Sequence, residues 1–204
     1  MFGLPKSSEV SKQLPKKAIY EKFNMNTAAK DRFDADISRI TIVNEISPVT
    51  VAVAAGEEVK SFYVLLVSLK RRDCDERIIG QLSRLIGQNM LFVLEYGKEA
   101  RLSVFRGKVI STPWRQTDDI TVTLKGLDLD EVWQNIIVQI GDIEIRSGNS
   151  LDEQIAIDEK RAKLQKEIDK LEKIARAEKQ PKKKIELLMQ INKLKHQYAE
   201  IIWV

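Results

Sequence analysis

A chain of 204 residues that is 43% hydrophobic is long and apolar enough to bury a core and carry an appendage, which excludes a wholly disordered chain. Its 34 basic and 30 acidic residues leave a net charge of +4, too small to force a polyelectrolyte partner. One cysteine, Cys74, excludes an internal disulfide and a multi-thiolate zinc site and points to a reducing, cytoplasmic setting. No apolar run approaches the ~20 residues of a membrane span, and MFGLPKSSEV has neither a basic n-region nor an apolar h-region, so neither a membrane nor secretion is expected.

Charge is uneven along the chain. Residues 1–33 carry 7 Lys or Arg against 3 Asp or Glu, 34–150 carry 14 against 17, and 151–204 carry 13 against 10, so both ends are basic and the middle slightly acidic. Behind Pro15, the helical spacing of Ala18, Ile19, Tyr20 and Phe23 predicts a short helix, and Thr27 is expected to cap a second one through Ala28, Ala29 and Phe33. From Ile37 the period becomes strand-like: ISRITIVNEIS alternates up to Pro48. Ser61–Lys70 is a near-continuous apolar run, the pattern of a central strand buried on both faces, with Phe62 to Leu69 expected as the most buried strand. Asp75 then opens a helical stripe of Ile78, Ile79, Leu82, Leu85 and Ile86 that Gly87 closes. NMLFVLEYG and EARLSVFRG, joined by Gly97-Lys98, read as a hairpin, and Ile120 to Gly126 as a further strand. Asp128 with Glu131 matches a capping box for a helix that buries Leu129, Val132, Trp133, Ile136, Ile137 and Ile140 and ends at Gly141.

From Ser150 the composition turns to Lys, Glu, Leu, Ile and Gln. Ile157, Leu164, Ile168, Leu171 and Ala175 keep one heptad seam, Gln180-Pro181 interrupts it, and Leu187, Ile191, Leu194, Tyr198 and Ile201 restart it. Two antiparallel helices, Ile157 to Lys179 and Lys182 to Ile201, follow from that break. The expected architecture is an α/β domain over residues 1–149, a mixed sheet flanked by helices, followed by a coiled-coil hairpin over 150–204. Four successive apolar residues end the chain, so Trp203 is expected to anchor the base of the hairpin while Lys182–Lys184 occupy its tip.

The chemical inventory is narrow. The one histidine, His196, lies among heptad residues and reads as solvated helix surface, which leaves a Ser-His-Asp or Cys-His centre without its imidazole. No GxxxxGK[ST] or GxGxxG loop is present. Cys74 stands in a polar loop without a neighbouring general base. Three basic clusters remain: Lys12, Lys16 and Lys17; Lys70, Arg71 and Arg72; and Lys182, Lys183 and Lys184. Phosphate contacts need such charges, yet no aromatic residue interleaves with any cluster, so base stacking is not expected and solvated loops are the plain alternative.

The order helix, strand, apolar strand, helix, strand from Ala18 to Tyr96 resembles the core of the restriction-endonuclease-like nucleases. That resemblance implies a first acid at Asp36 or Asp34, a lysine at Lys70, and a divalent metal, Mg²⁺, held between acids. Ser68 stands where the second acid belongs, and Glu45 is the candidate replacement from the neighbouring strand. Without that centre no metal or other cofactor is expected.

FGLPKSSEVSKQLPKKAIYEKF, DRFDADISRI, SLKRRDCDE, SRLIGQNMLFVLEYG and GNSLDEQIAIDEKRAKLQKEIDKLEK together resemble the bacterial domain of unknown function 4391 family. The resemblance implies an α/β domain followed by a helical hairpin, and gene neighbours that are helicases and DNA methyltransferases of restriction or anti-phage systems. It brings no catalytic residue to a position here. The expected function is a non-catalytic accessory subunit of such an assembly, binding a helicase or methyltransferase subunit and DNA. The alternatives are a divergent metal-dependent nuclease built on Asp36, Glu45 and Lys70, or a homodimeric scaffold without nucleic acid.

Overall fold

The computed structural model of the chain describes residues 2–146 and 148–201. It divides into two compact units, Met1–Ile143 and Glu144–Val204. The first contains β1 (Glu9–Gln13), α1 (Lys16–Lys22), α2 (Thr27–Asp36), β2 (Ile37–Ile46), β3 (Phe62–Leu69), α3 (Glu76–Leu82), β4 (Asn89–Tyr96), β5 (Glu99–Arg106), β6 (Lys108–Ser111), β7 (Arg115–Gln116) and α4 (Leu129–Gly141). One mixed sheet runs in the order β1-β2-β3-β4-β5-β6, with β7 beside β5. Every pairing is antiparallel except β3 with β4, which is parallel and spanned by α3.

The apolar run of β3 explains this arrangement, because successive side chains point to opposite faces and both faces are covered. Tyr63, Leu65, Val67 and Leu69 meet Ile19 of α1, Phe33 of α2 and Ile79 and Leu82 of α3. Phe62 points the other way, and its ring lies 5.1 Å from that of Trp133 on α4. β4 is as buried as β3, with Met90 to Leu94 all inside. α4 starts where Asp128 accepts the N–H of Glu131 at 2.9 Å. The reciprocal bond of the capping box moves one residue back: Glu131 takes the N–H of Leu127 at 2.9 Å.

Several local expectations are corrected. Residues 120–126 are not a strand. Ile120 and Val122 are buried in alternation as predicted, but the backbone there is held by the N-terminus and by α4: Val122 N–H donates to Phe2 O, Asn135 Nδ2 donates to Lys125 O and Gln139 Nε2 to Thr121 O. Asn26, not Thr27, caps α2, its side-chain oxygen accepting from Ala29 N–H at 2.9 Å. α3 ends at Leu82, so Leu85 and Ile86 follow in turns. The sequence pattern does not predict β1: all five of its residues are exposed, and only the open edge of β2 makes it a strand.

The second unit contains α5 (Leu151–Ala177) and α6 (Pro181–Glu200), packed against each other as a hairpin. Ser150 and Glu153 cap each other's backbone at the start of α5, and Pro181 opens α6. Ile168, Ala175 and Ile191 are buried between the helices with Leu171, Leu187, Leu194 and Tyr198 around them, the heptad residues of the sequence pattern. The unit begins at Glu144, before the expected boundary at 149, because Arg146 N–H and Asn149 Nδ2 both donate to Gln154 Oε1 of α5. The expectation for Trp203 lies outside the described residues. No helix among the described residues is long and apolar enough to cross a membrane.

Candidate functional site

The parallel pair β3 and β4, joined through α3, leaves a crossover end where β3 stops at Leu69, β4 at Tyr96 and α3 begins. In α/β sheets ligands favour such carboxyl ends. Three polar groupings line this one.

Asp36, the last residue of α2, is 1% exposed, and a buried carboxylate must be paired. Its Oδ1 pairs with Arg71 Nε, its Oδ2 accepts the N–H of Asp75 at 3.1 Å, and its main-chain carbonyl accepts the N–H of Lys70 at 2.8 Å. Asp36 therefore ties the start of β2 to the turn between β3 and α3. Asp34 accepts from Lys16 Nζ and from the Tyr20 hydroxyl, both at 2.6 Å, while Lys16 also donates to Ile37 O at 2.6 Å. The third grouping surrounds Trp114, whose ring centroid lies 5.4 Å from the Arg72 guanidinium and 5.2 Å from that of Arg101. Arg72 pairs at 3.3 Å with Glu99. The half-buried Cys74 thiol is pushed up by burial, against the opposing charge of Arg101, which leaves it protonated and slow to react at neutral pH.

The predicted catalytic residues do not come together. Asp36 and Lys70 are neighbours, but Glu45 pairs with Tyr63 near the far end of β2, nine residues and roughly 30 Å along the strand. The acid that register sets beside Ser68 is Glu95 of β4. Among the described residues no three His, Cys, Asp or Glu side chains gather as metal donors, and the Asp36 carboxylate is already occupied by a guanidinium. This donor set does not fit a divalent cation. His196 is exposed and pairs with Glu200 at 3.2 Å.

The basic residues sort by how far they are neutralised. Lys16 is tied to Asp34, Lys17 stands 3.9 Å from Glu21, Arg71 is tied to Asp36 and Arg72 to Glu99. Lys12 lies exposed on the edge strand opposite Ile42, Lys70 is exposed at the end of β3, and Lys182, Lys183 and Lys184 are exposed in the first turn of α6. Lys16 and Lys70 both act on Asp34, so the first two clusters meet at this end of the sheet. The expectation that no aromatic ring accompanies a basic cluster is corrected by Trp114. The loop after β6 delivers it to Arg72, a contact that sequence adjacency does not reveal.

An anion-binding nest elsewhere in the unit is filled by the chain itself. The N–H groups of Glu57 and Val59 donate to Asp130 at 2.6 and 2.7 Å, with Glu58 N–H adding two bonds of 3.2 Å. These bonds, that from Val59 foremost, hold the Asp130 carboxyl below its ordinary range. Gly56 is required there, since a Cβ would lie 2.3 Å from Asp130 Cγ.

The Lys16–Asp34–Tyr20 contact sets a pH response. The hydrogen bond from Lys16, then that from Tyr20, lowers the Asp34 pKa, while burial and then Asp34 raise that of Tyr20. A lowered carboxyl contributes stability that is complete above its unfolded value of ~3.9 and is lost as pH falls through the folded value. A raised phenol contributes stability that is complete below ~10 and is lost as pH rises from there towards its folded value. The melting temperature should therefore hold a plateau from about pH 5 to 9 and fall on both sides. Tyr20→Phe should melt slightly lower on the plateau yet lose less on the alkaline side; an alkaline limb as steep as the wild type's would show that this contact does not set it.

A sequence model of the family described as Domain of unknown function (DUF4391) matches residues 2–197, and the chain belongs to that family. No curated protein and no solved structure matches it.

Proposed function

We propose that this member of the DUF4391 family is a non-catalytic accessory subunit of a bacterial DNA-modification or anti-phage assembly, which docks by its hairpin on a large partner, a helicase or methyltransferase subunit. The observation that carries this reading is the outer surface of α6. Leu187, Ile191, Leu194 and Tyr198 serve the seam with α5, yet Ile185, Leu188 and Met189, one helical turn apart, are 54%, 46% and 67% exposed. A helix apolar on a second side has surface left for another protein.

Charge favours one kind of partner. Lys182, Lys183 and Lys184 sit at the N-terminus of α6, whose first turn holds no acid. Cations there oppose the helix dipole by roughly 0.3–1 kcal/mol each at low ionic strength. Placed against local stability, they suit an acidic surface on the partner. A second copy of this chain would bring the same basic tip and fits less well. At the other candidate site, Asp34 and Asp36 are consumed by internal pairs, which favours binding over catalysis. The exposed Lys12 and Lys70 are available to DNA phosphate.

Purification of the tagged full chain from its native host tests this. A helicase or methyltransferase subunit in stoichiometric amount, reduced when Leu188 and Met189 are replaced with Ser, is the expected result. A chain that emerges alone with the light-scattering mass of a dimer would contradict it in favour of self-association.

A further inference from the structure

Trp114 is partly buried against the core cluster of β2, β3 and β4, but its contacts with two arginines are used neither by that core nor by the hairpin reading. Arg101 stands on β5 opposite Leu94, and its Nε is buried without a hydrogen-bond partner. Buried donors are almost always paired; this guanidinium is held beside the Cys74 thiol and the Trp114 ring, so Arg101 adds positive charge to this end of the sheet. Arg72, by contrast, has a side chain 49% exposed, and it meets a Glu99 side chain that is 34% exposed at only 3.3 Å. Exposed pairs of this kind exchange readily for another anion. The ring beside these guanidiniums lies at the end of the sheet where Lys70 is also exposed. Cations beside an aromatic face, one of them loosely held, are the components of a single-strand nucleic-acid contact: charge for the phosphate and a π-face for the base.

We propose that Trp114 is the stacking platform for an unpaired nucleobase, with Arg72 taking the adjoining phosphate and Arg101 adding its charge beside the ring, so that this end of the sheet prefers single-stranded DNA to duplex. The proposal rests on the DNA contact in the reading above and adds to it the strand state and the residues. Arg72 moves from the ring to the phosphate, and the base takes its place. A duplex keeps its bases stacked on one another and offers the ring nothing, so it gains only the charge.

The test uses the full chain, a fluorescein-labelled dT12 strand and a 12-base-pair duplex, read by polarisation at matched salt. Single-strand binding should be tighter than duplex binding. Trp114→Ala should weaken it about 10-fold, within the range of stacking losses seen on alanine substitution, and Trp114→Phe should retain most of it. Arg72→Ala, on an exposed side chain, should weaken it a few-fold and flatten its salt dependence by about one unit of slope. Unlabelled dT12 should quench tryptophan emission in the wild type but not in Trp114→Phe, although Trp133 and Trp203 remain. The quench places the base on this ring and does not depend on the alanine variant folding. Equal binding of both DNAs, unchanged by either Trp114 substitution, would overturn the stacking site while leaving a phosphate contact. Absence of binding to both DNAs would remove the DNA contact itself and leave the hairpin partner untouched.

Discussion

Replacing Phe62 with alanine is expected to destabilise the α/β unit by about 3–5 kcal/mol, the usual range for a fully buried phenylalanine. Its side chain is wholly inaccessible and fills the space between the start of β3 and the Trp133 ring at 5.1 Å. The loss combines the transfer of the ring, a cavity that two rigid layers cannot close, and an aromatic contact worth about 0.5–1.5 kcal/mol. Urea unfolding followed by tryptophan emission measures it, and Val49→Ala, at a position 94% exposed, should change stability by less than about 0.5 kcal/mol. A loss for Phe62→Ala below about 1.5 kcal/mol would mean that α4 relaxes onto the sheet and that the layer contact is softer than described.

Aspartate at Ile191 should open the hairpin. Ile191 is 3% exposed and shares its cluster with Ile168 and Ala175, so the substitution removes a buried branched side chain and puts an unpaired carboxylate in its place. Truncation of such a side chain alone costs about 2–5 kcal/mol, and charge burial adds to it. Two helices with a single seam hold little reserve. Hydrogen exchange by mass spectrometry should show peptides from 151–200 losing protection while those from β3 and β4 keep theirs. Gln190→Asp, one position away and exposed, should leave exchange as in the wild type. Protection retained in Ile191→Asp would show that the seam does not hold the helices.

Where a segment's own pattern decides its structure, the sequence is legible. β3 runs over the predicted Phe62–Leu69, α4 buries the predicted stripe, and the hairpin breaks at Gln180-Pro181. Legibility stops where a partner decides. β1 has no apolar residue directed to the core and exists because the edge of β2 offers its backbone at Asn44, Ile42 and Thr41. Residues 120–126 have the alternation of a strand, but Asn135 and Gln139, from a helix later in the chain, take up its carbonyls. The candidate site divides in the same way. Asp36 and Lys70 meet as the element order implies, because β2 begins where β3 ends. The capture of Asp36 by Arg71 and the arrival of Trp114 beside Arg72 depend on side-chain reach and on the path of the chain after β6, and neither has a local sequence signal.

Docking through the basic, apolar-faced hairpin can be probed by purifying the full chain from its native host with Lys182, Lys183 and Lys184 all changed to Glu, at low and at moderate salt. Thermal stability should be unchanged or slightly higher, since glutamates suit a helix N-terminus. The helicase or methyltransferase subunit that we propose as partner should fall by about tenfold or more in the eluate, with the widest gap at low salt, where exposed charges are least screened. Recovery of that subunit at wild-type yield at both salt concentrations would show that the basic tip is not where the partner docks.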